Sequence, residues 1–489
     1  MNQIINNFEQ FEAVIGLEVH VQLSTSSKAF CSDSATFGNL PNQNISPVSL
    51  GLPGALPLTN EKAVKYAAKL GLAIDSKINQ YNFFDRKNYF YADLPKGYQI
   101  TQDNEPICLG GKLKIRLENG EEKDIILNRI HMEEDAGKSI HDMDKDYSYI
   151  DLNRAGVALL EVVTEPMISS GDEAAAYLSE LRKLVRYLDI CDGNMEEGSM
   201  RCDANVSVRL KGETKLGNRC EVKNLNSIKN VQRAIEHEVK RQIDLINKGK
   251  TIDQNTLNFD AVTGKTTPLR SKEMANDYRY FPEPDLLPMV ISDEFLEAIK
   301  AEMPTLPEEL YQQFTKEMGL PAYDALVLTA EKSMADYFVA LTKHTKNYKM
   351  ASNWVMGTLK SHLNEKQKNF NDLEIPAKEI AEIINLVELK EINNSQAKNK
   401  LFAALALRPD AKVAVLMEEL NLVHKKCDNE LDGFITKALE KFPDKVKEYH
   451  NGKKGVIGLF MGEVMKLSHG KLDPKKTNQL ILEKLESIK

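Results

Sequence analysis

Six cysteines in 489 residues, none in a CxxC pair, leave no disulfide framework, so Cys31, Cys108, Cys191, Cys202, Cys220 and Cys427 read as reduced core or surface thiols. No run approaches the roughly eighteen apolar residues needed to cross a bilayer. The N-terminal MNQIINNFEQFEA has neither a basic n-region nor an apolar h-region, so the expected address is the cytoplasm, with no membrane partner. HExxH, GxSxG and a GxGxxG fingerprint after a strand are all absent. The nearest approach to a Walker A loop, MEEDAGKS at 132–139, has Met132 where the first glycine belongs. A formal net charge of -8 does not advertise nucleic-acid binding, so any such surface must be local.

What is present begins with AVIGLEVHVQL at 13–23. Ala13, Ile15, Leu17, Val19, Val21 and Leu23 alternate with Gly16, Glu18, His20 and Gln22, the period of a half-buried strand. Glu18 and His20 therefore project from one face about 7 Å apart, where they can share a divalent cation or a phosphate-bound metal. The plain alternative is a solvated polar face.

Further strands repeat the pattern. IILNRIHMEEDAGK at 125–138 puts Arg129, His131 and Glu133 on one face, with Ile126, Ile130 and Met132 on the other. VALLEVV at 157–163 holds Glu161 alone among apolar residues, and a lone buried carboxylate is costly without a cation, metal or backbone donors. From Arg201 the chain alternates Arg201, Asp203, Asn205, Ser207 and Arg209 against Cys202, Ala204, Val206, Val208 and Leu210. RCEVKNLNS then sets Arg219, Glu221 and Lys223 together. One polar strand face is ordinarily just wet, but carboxylates recurring among cations on several strands suit phosphoryl transfer, where acids hold metal and bases hold phosphate oxygens.

At this length two to four domains are expected. Residues 26–60, dense in Ser, Asn, Gly and Pro, form a long loop before a helix at 61–72. In the aromatic segment 81–102, Asp85, Arg86, Lys87, Asp93 and Lys96 are partly desolvated and so candidates for substrate or partner contact. Helices are expected at 172–188 and after Ser227, a capping residue for Ile228, Val231, Ile235, Val239, Ile243 and Ile246. Prolines at 282, 284 and 288 look like a domain exit, residues 294–406 turn helical with a polar break at 364–372, and four amphipathic segments follow from about 407. Between His424 and Lys489 fourteen lysines face ten acids, an excess of +4 in an acidic chain, which suits either a solvated face or nucleic-acid contact.

GLEVHVQL, GLPGALPLTN, FDRKNYFYADLPKGYQIT, HMEEDAGK, NRAG, NMEEGSMRCDANVS, EVKNLNS and RSKEMANDYRYFPEPDLLP, in this order, closely resemble the GatB family, the B subunits of aspartyl/glutamyl-tRNA amidotransferases. The resemblance continues through YDALVLT, ADYF and ASNWVMG to GLFMGEVMKLSHGKLDPKKTN. It implies an α+β fold: an N-terminal glutamine-synthetase-like cradle on an antiparallel sheet (1–293), an all-helical domain (294–406) and a small helical tail that binds tRNA (407–489). It implies one member of a heterotrimer, whose other members are an amidase, acting as the glutaminase, and a small third subunit. Such an enzyme uses ATP and Mg2+ to phosphorylate the side chain of Glu-tRNA(Gln), Asp-tRNA(Asn) or both, and ammonia then displaces phosphate. The family's EVH and EED motifs carry the magnesium site to Glu18, His20 and Glu133. The strand argument adds Glu161, Asp203 and Glu221 to the catalytic set. RKNYFY and LPKGYQ place Lys87 and Lys96, with Glu134, on the path of ammonia, or else in structural ion pairs of the cradle.

Three departures stand out. Where many relatives carry four zinc-ligating cysteines, this chain has Cys31, Asp33, Ser46 and Ser49, so zinc is not expected. Glu463 replaces a common Gln in the tail motif, and Ala92 replaces a frequent Pro, loosening that turn. In the tail, Lys453, Lys454, Lys466 and Lys471 are the expected tRNA contacts. Two other readings remain open at this level: a non-catalytic tRNA-binding scaffold, and a self-contained glutamine amidotransferase. The second lacks any Ser-rich amidase signature or Cys-His pairing, which assigns glutamine hydrolysis to a partner.

Overall fold

A computed structural model of the chain describes residues 9–141, 143–271, 278–422, 428–468, 472 and 474–488. It divides into two compact units, Met1–Gln313 with Ala330–Lys332, and Phe314–Thr329 with Ser333–Lys489. No helix among the described residues is long and apolar enough to cross a membrane.

The first unit is built on a ten-stranded sheet. Its main elements are β1 (Phe11–Gln22), α1 (Glu61–Ala73), β2 (Glu122–Glu134), β3 (Ala158–Thr164), α2 (Gly171–Tyr187), β4 (Met200–Leu210), β5 (Cys220–Leu225), α3 (Ile228–Asn247), β6 (Asn255–Asp260) and β7 (Lys265–Ser271). Across the sheet the order is β7-β6-β5-β4-β1-β3-β2, continued by Cys108–Leu109 and Lys77–Ile78. β1 is central because its alternation completes one face: Ile15, Leu17, Val19 and Val21 are all 0 % exposed. Side chains that bury fully on one face of a strand fix its register, since a slip of one residue would turn them all to the other side.

The helices start where the sequence supplies caps. The Asn60 side chain accepts from the amides of Lys62 and Ala63, Ser170 from that of Glu173 and Ser227 from that of Asn230. From α2, Tyr177, Leu178, Leu181 and Val185, and from α3, Val231, Ala234 and Ile235, join Leu17 and Val206 in one core. The helices thus cover the apolar face and leave the polar one to the site.

Two details differ from expectation. The sheet is mixed, because β5 and β6 run parallel, Glu221 beside Thr256, with α3 as the crossover that such a pair requires. And Ile126 does not share the inner face with Ile130: it is 41 % exposed, while Ile125 and Leu127 are buried. A bulge opposite Val163 and Thr164 inserts one residue between Leu127 and Arg129 and reverses the alternation.

The first unit also runs past the expected boundary at 293. Arg116 pairs with Glu308 at 2.6 Å and stacks 3.9 Å from the Tyr311 ring centroid, so the helices Asp293–Ala301 and Pro307–Gln312 belong to it.

The long loop 26–60 is held by a fully buried lysine. Lys28 Nζ donates to the Asn44 carbonyl at 2.6 Å and to Ser49 Oγ at 3.4 Å, Ser49 donates to Asp33, and Cys31 Sγ lies 3.6 Å from Ser49 Oγ. In the aromatic segment, Asp85 accepts the amides of Asp103 and Asn104, and Arg86 forks onto Glu283 at 2.7 Å. Those two charges are committed to structure rather than to a substrate.

The second unit is helical. Phe314 meets Phe338 edge to face at 4.8 Å, and Trp354 packs on Phe402 at 5.8 Å. Helix Val413–Glu419 lies beyond the expected boundary at 407, yet Glu379 of helix Ala377–Glu388 accepts the Val413 amide at 3.0 Å and pairs with Lys412 at 3.0 Å. A separate small core begins later, around Leu431, Ile435, Phe460, Val464, Ile481 and Leu485.

Candidate active site

Cross-strand register assembles the polar face. His20 on β1 lies opposite Glu161 on β3 and Arg201 on β4, and Glu161 lies opposite His131 on β2, giving one row across four strands. The next row sets Glu18 opposite Asp203, and beyond it Asn205 stands opposite Glu221.

Among the described residues two groups of possible metal ligands result, each with its ligand atoms within 4.8 Å of one another: His20, Glu133 and Glu161, and separately Glu18, Asp203 and Glu221. All six candidate catalytic residues therefore reach this face. The expected magnesium triad is divided, however: Glu18 stands with Asp203 and Glu221, not with His20 and Glu133. The division arises from register, since Glu18 sits one cross-strand row along from His20.

In the first group, His20 Nε2 is 3.5 Å from Glu133 and 3.4 Å from Glu161, while His131 Nε2 is 3.8 Å and 3.4 Å from the same two carboxylates. Burial opposes charge on His131, but Glu161 and Glu133 outweigh it and raise its pKa to about 9. Burial would likewise raise Glu161, yet His131 and His20 hold it well below the usual carboxylate range. In the second group, Lys223 bridges Asp203 at 2.6 Å and Glu221 at 2.9 Å, and Asn205 Nδ2 donates to Glu18 at 2.8 Å. Burial, and after it Glu161, Glu221 and Asp203, push the Glu18 carboxyl up. A divalent cation suits this set: hard oxygen donors, an excess of carboxylates over cations and a destabilised anion.

Of the three residues expected on the ammonia path, Lys96 and Glu134 are together and Lys87 stands apart. Lys96 pairs with Glu134, whose carboxylate also accepts the Ile100 amide at 2.8 Å. Lys87 lies 5.0 Å from the Tyr278 ring and 6.0 Å from that of Tyr89, and although burial works against it, Glu133, Tyr280 and Glu161 raise its pKa. It thus faces the first carboxylate group, not Glu134.

The candidate set omitted His131, Arg201 and Lys223, although alternation had put all three on the polar faces. It also omitted Asp135, which takes Arg201 Nη1 at 2.9 Å. Asp135 follows the end of β2, where no period marks it.

In the tail, Lys453, Lys454 and Lys466 are exposed, and Lys471 lies outside the described residues. Glu463 is paired with Lys441. Gly455, Gly458 and Gly462 have no atom within 4 Å of where a Cβ would stand, so they leave the surface open there.

Residues 13–297 match the family model described as the GatB/GatE catalytic domain, and residues 336–485 match the one described as the GatB domain. The chain is 47 % identical over 98 % of its length to the aspartyl/glutamyl-tRNA(Asn/Gln) amidotransferase B subunit of Thermodesulfovibrio yellowstonii, covering 100 % of that protein. Against the same B subunit of Rickettsia felis the identity is 46 % over 100 % of both chains. The chain belongs to the GatB family of aspartyl/glutamyl-tRNA amidotransferases. Its catalytic-domain match begins in β1 and spans every residue of the two carboxylate groups.

Proposed function

We propose that this chain is the carboxylate-activating subunit of a tRNA-dependent amidotransferase, an ATP-dependent carbon-nitrogen ligase. The observation that carries the reading is the pair of acid-rich groups on one sheet face, ringed by Arg201, Lys223 and Lys87. A carboxylate is a poor electrophile until one oxygen becomes a leaving group. Transfer of the γ-phosphoryl of ATP to the side chain of a misacylated tRNA, glutamyl or aspartyl, creates that group. Ammonia then attacks the carbonyl carbon, the C–O bond breaks and phosphate departs, leaving the amide and one proton for a nearby base.

His20, Glu133 and Glu161, with Glu18, Asp203 and Glu221, would hold magnesium. When bound it neutralises phosphate oxygens and orients them for in-line transfer. Arg201 and Lys223, already tied to Asp135 and Asp203, are preorganised cations for the same oxygens. Lys87, at the edge of the first group, supplies positive charge next to the reacting carboxylate. The buried Lys96–Glu134 pair lies on the approach taken by ammonia from an amidase partner, with a small third subunit to complete the trimer. The tail from about residue 428 supplies tRNA affinity through Lys453, Lys454, Lys466 and Lys471.

The test is ATP consumption by the reconstituted trimer with Glu-tRNA(Gln) and Asp-tRNA(Asn) in turn, supplied with glutamine or ammonium. Turnover that requires misacylated tRNA is expected. A trimer that binds tRNA and hydrolyses glutamine but never consumes ATP would make this chain a scaffold.

A further inference from the structure

The polar face holds a cation that the fold leaves unused. Cross-strand register sets Leu109, Arg129 on β2, Val163 on β3, Glu18 on β1 and Asp203 on β4 in one row. Residues directly opposite share a face, so the Arg129 side chain stands between Leu109 and Val163 with no acid on either side. It is half-buried, its Nε is buried with no hydrogen-bond partner, and no ion pair reaches it among the described residues. By contrast Arg201 is tied to Asp135, Lys223 to Asp203 and Glu221, and Lys96 to Glu134. A buried donor without an acceptor costs stability, and apolar neighbours raise that cost by lowering the local dielectric. An anion between Leu109 and Val163 removes it.

The position of Arg129 narrows the choice of anion. Its row is next to that of His131, Glu161 and His20, about 7 Å along the strand, whereas Glu221 on β5 is four strands away, about 19 Å. Arg129 therefore flanks the first carboxylate group only. In the reaction proposed above, the phosphates of the nucleotide arrive with magnesium, which the acids of the face attract. The side-chain carboxylate of the misacylated tRNA arrives bare and must come beside Glu133 and Glu161, which repel it. A guanidinium fork meets both oxygens of a carboxylate in one plane, and Leu109, 39 % exposed, and Val163 offer apolar contact to the methylenes of the same side chain.

We propose that Arg129 is the acceptor-binding residue, holding the side-chain carboxylate of the misacylated tRNA for phosphorylation. One carboxylate oxygen attacks the γ-phosphorus and ADP departs; the other stays on the guanidinium as the carbonyl oxygen of the acyl phosphate. When ammonia adds to the carbon, that oxygen takes the negative charge, which Arg129 stabilises until the C–O bond to phosphate breaks and the surplus proton passes to a nearby base. The proposal rests on the phosphorylation reading above and names the residue that recognises the acceptor.

The experiment uses the reconstituted trimer with Arg129→Met, which keeps the apolar stem, and Arg129→Lys, which keeps the charge without the fork. Three quantities are read: binding of Glu-tRNA(Gln) against the same tRNA uncharged, affinity for a non-hydrolysable ATP analogue, and Tm. Wild type is expected to prefer the charged tRNA about tenfold, the value of a charge-assisted hydrogen-bonded contact, and Arg129→Met to bind both tRNAs alike while the analogue binds as before. Misacylated-tRNA-dependent ATP turnover should fall about 100-fold or more in Arg129→Met and recover only in part in Arg129→Lys. Because Arg129→Met deletes an unpaired donor, its Tm should equal or exceed that of wild type. A lower Tm makes Arg129 a structural residue and overturns the proposal. So does loss of analogue affinity, which makes it a nucleotide contact, or equal loss of charged and uncharged tRNA, which makes it a contact to the RNA backbone. Near-normal turnover in Arg129→Met overturns it as well, and all four results leave the phosphorylation reading standing. A wild-type trimer that consumes no ATP with misacylated tRNA overturns both.

Discussion

Glu18→Gln separates a catalytic role from a structural one by the sign of its effect on stability. Glu18, Asp203 and Glu221 present ligand atoms within 4.8 Å of one another, a spacing at which two like charges repel by about 3 kcal/mol at an effective dielectric of about 20. Lys223 offsets part of this, pairing with Asp203 at 2.6 Å and Glu221 at 2.9 Å, and leaves three carboxylates against one ammonium. Glutamine removes one of those charges and can still exchange a hydrogen bond with Asn205. Without metal the variant should therefore be more stable than wild type, on the order of 1 kcal/mol after solvent screening, or about 1–3 °C in Tm. The pH dependence carries the same sign. Because the folded Glu18 pKa lies above the unfolded 4.5, wild type loses stability as pH rises from there through the raised value, and the variant should not. Magnesium should then stabilise the variant less than wild type, and misacylated-tRNA-dependent ATP turnover should fall about 100-fold or more. Thermal scans in EDTA and in magnesium, with a coupled ATP assay, read all three. A variant destabilised in EDTA, or one with near-normal turnover, refutes the reasoning, since Glu18 would then be an ordinary structural acid.

His131→Gln should flatten the metal-free stability profile between pH 6.5 and about 9, the window in which the wild-type imidazolium loses its proton and, with it, its stabilising contact to Glu161; equal slopes for the two proteins in urea titrations would contradict this. Purified chain should carry no stoichiometric zinc, because Cys31, Asp33 and Ser49 lie around a buried lysine ammonium rather than a cation site; elemental analysis finding one zinc per chain would refute it. Removing residues 428–489 should raise the apparent tRNA KM and flatten its salt dependence while glutaminase activity stays basal, and equal tRNA affinity with and without the tail at every salt concentration would assign it another role. Glu463→Gln, by freeing Lys441, should tighten tRNA modestly at low salt, and a weaker complex would count against it.

Local pattern was enough to read the elements of this fold. The alternation from Ala13 to Leu23 set which β1 residues are buried, and Ser227 marked a helix start, because both signals act over a few residues. What depends on partners at long range was not written locally. Nothing near Leu127 announces the bulge that turns Ile126 outward, since that follows from how β2 meets β3. The parallel seam between β5 and β6 likewise depends on where α3 returns the chain.

The same distinction governs the site. Glu161 was legible because a lone charge in an apolar strand demands a partner, and the other acids because they recur on the polar faces of strands or in the family's motifs, but the grouping depends on which row each occupies. Glu18 and His20, two residues apart and both facing the site, fall in different cross-strand rows, so proximity in sequence suggested one metal site where the sheet builds two groups. The second group would be hard to explain as structure alone. A fold in need of ion pairs would have matched each carboxylate with a cation, as Arg86 does for Glu283. Here Lys223 is shared between Asp203 and Glu221, Thr256 gives Glu221 a hydroxyl, and Glu18 takes an amide. Buried acids in excess of bases cost stability in the empty protein, and a bound cation is what turns that cost into affinity.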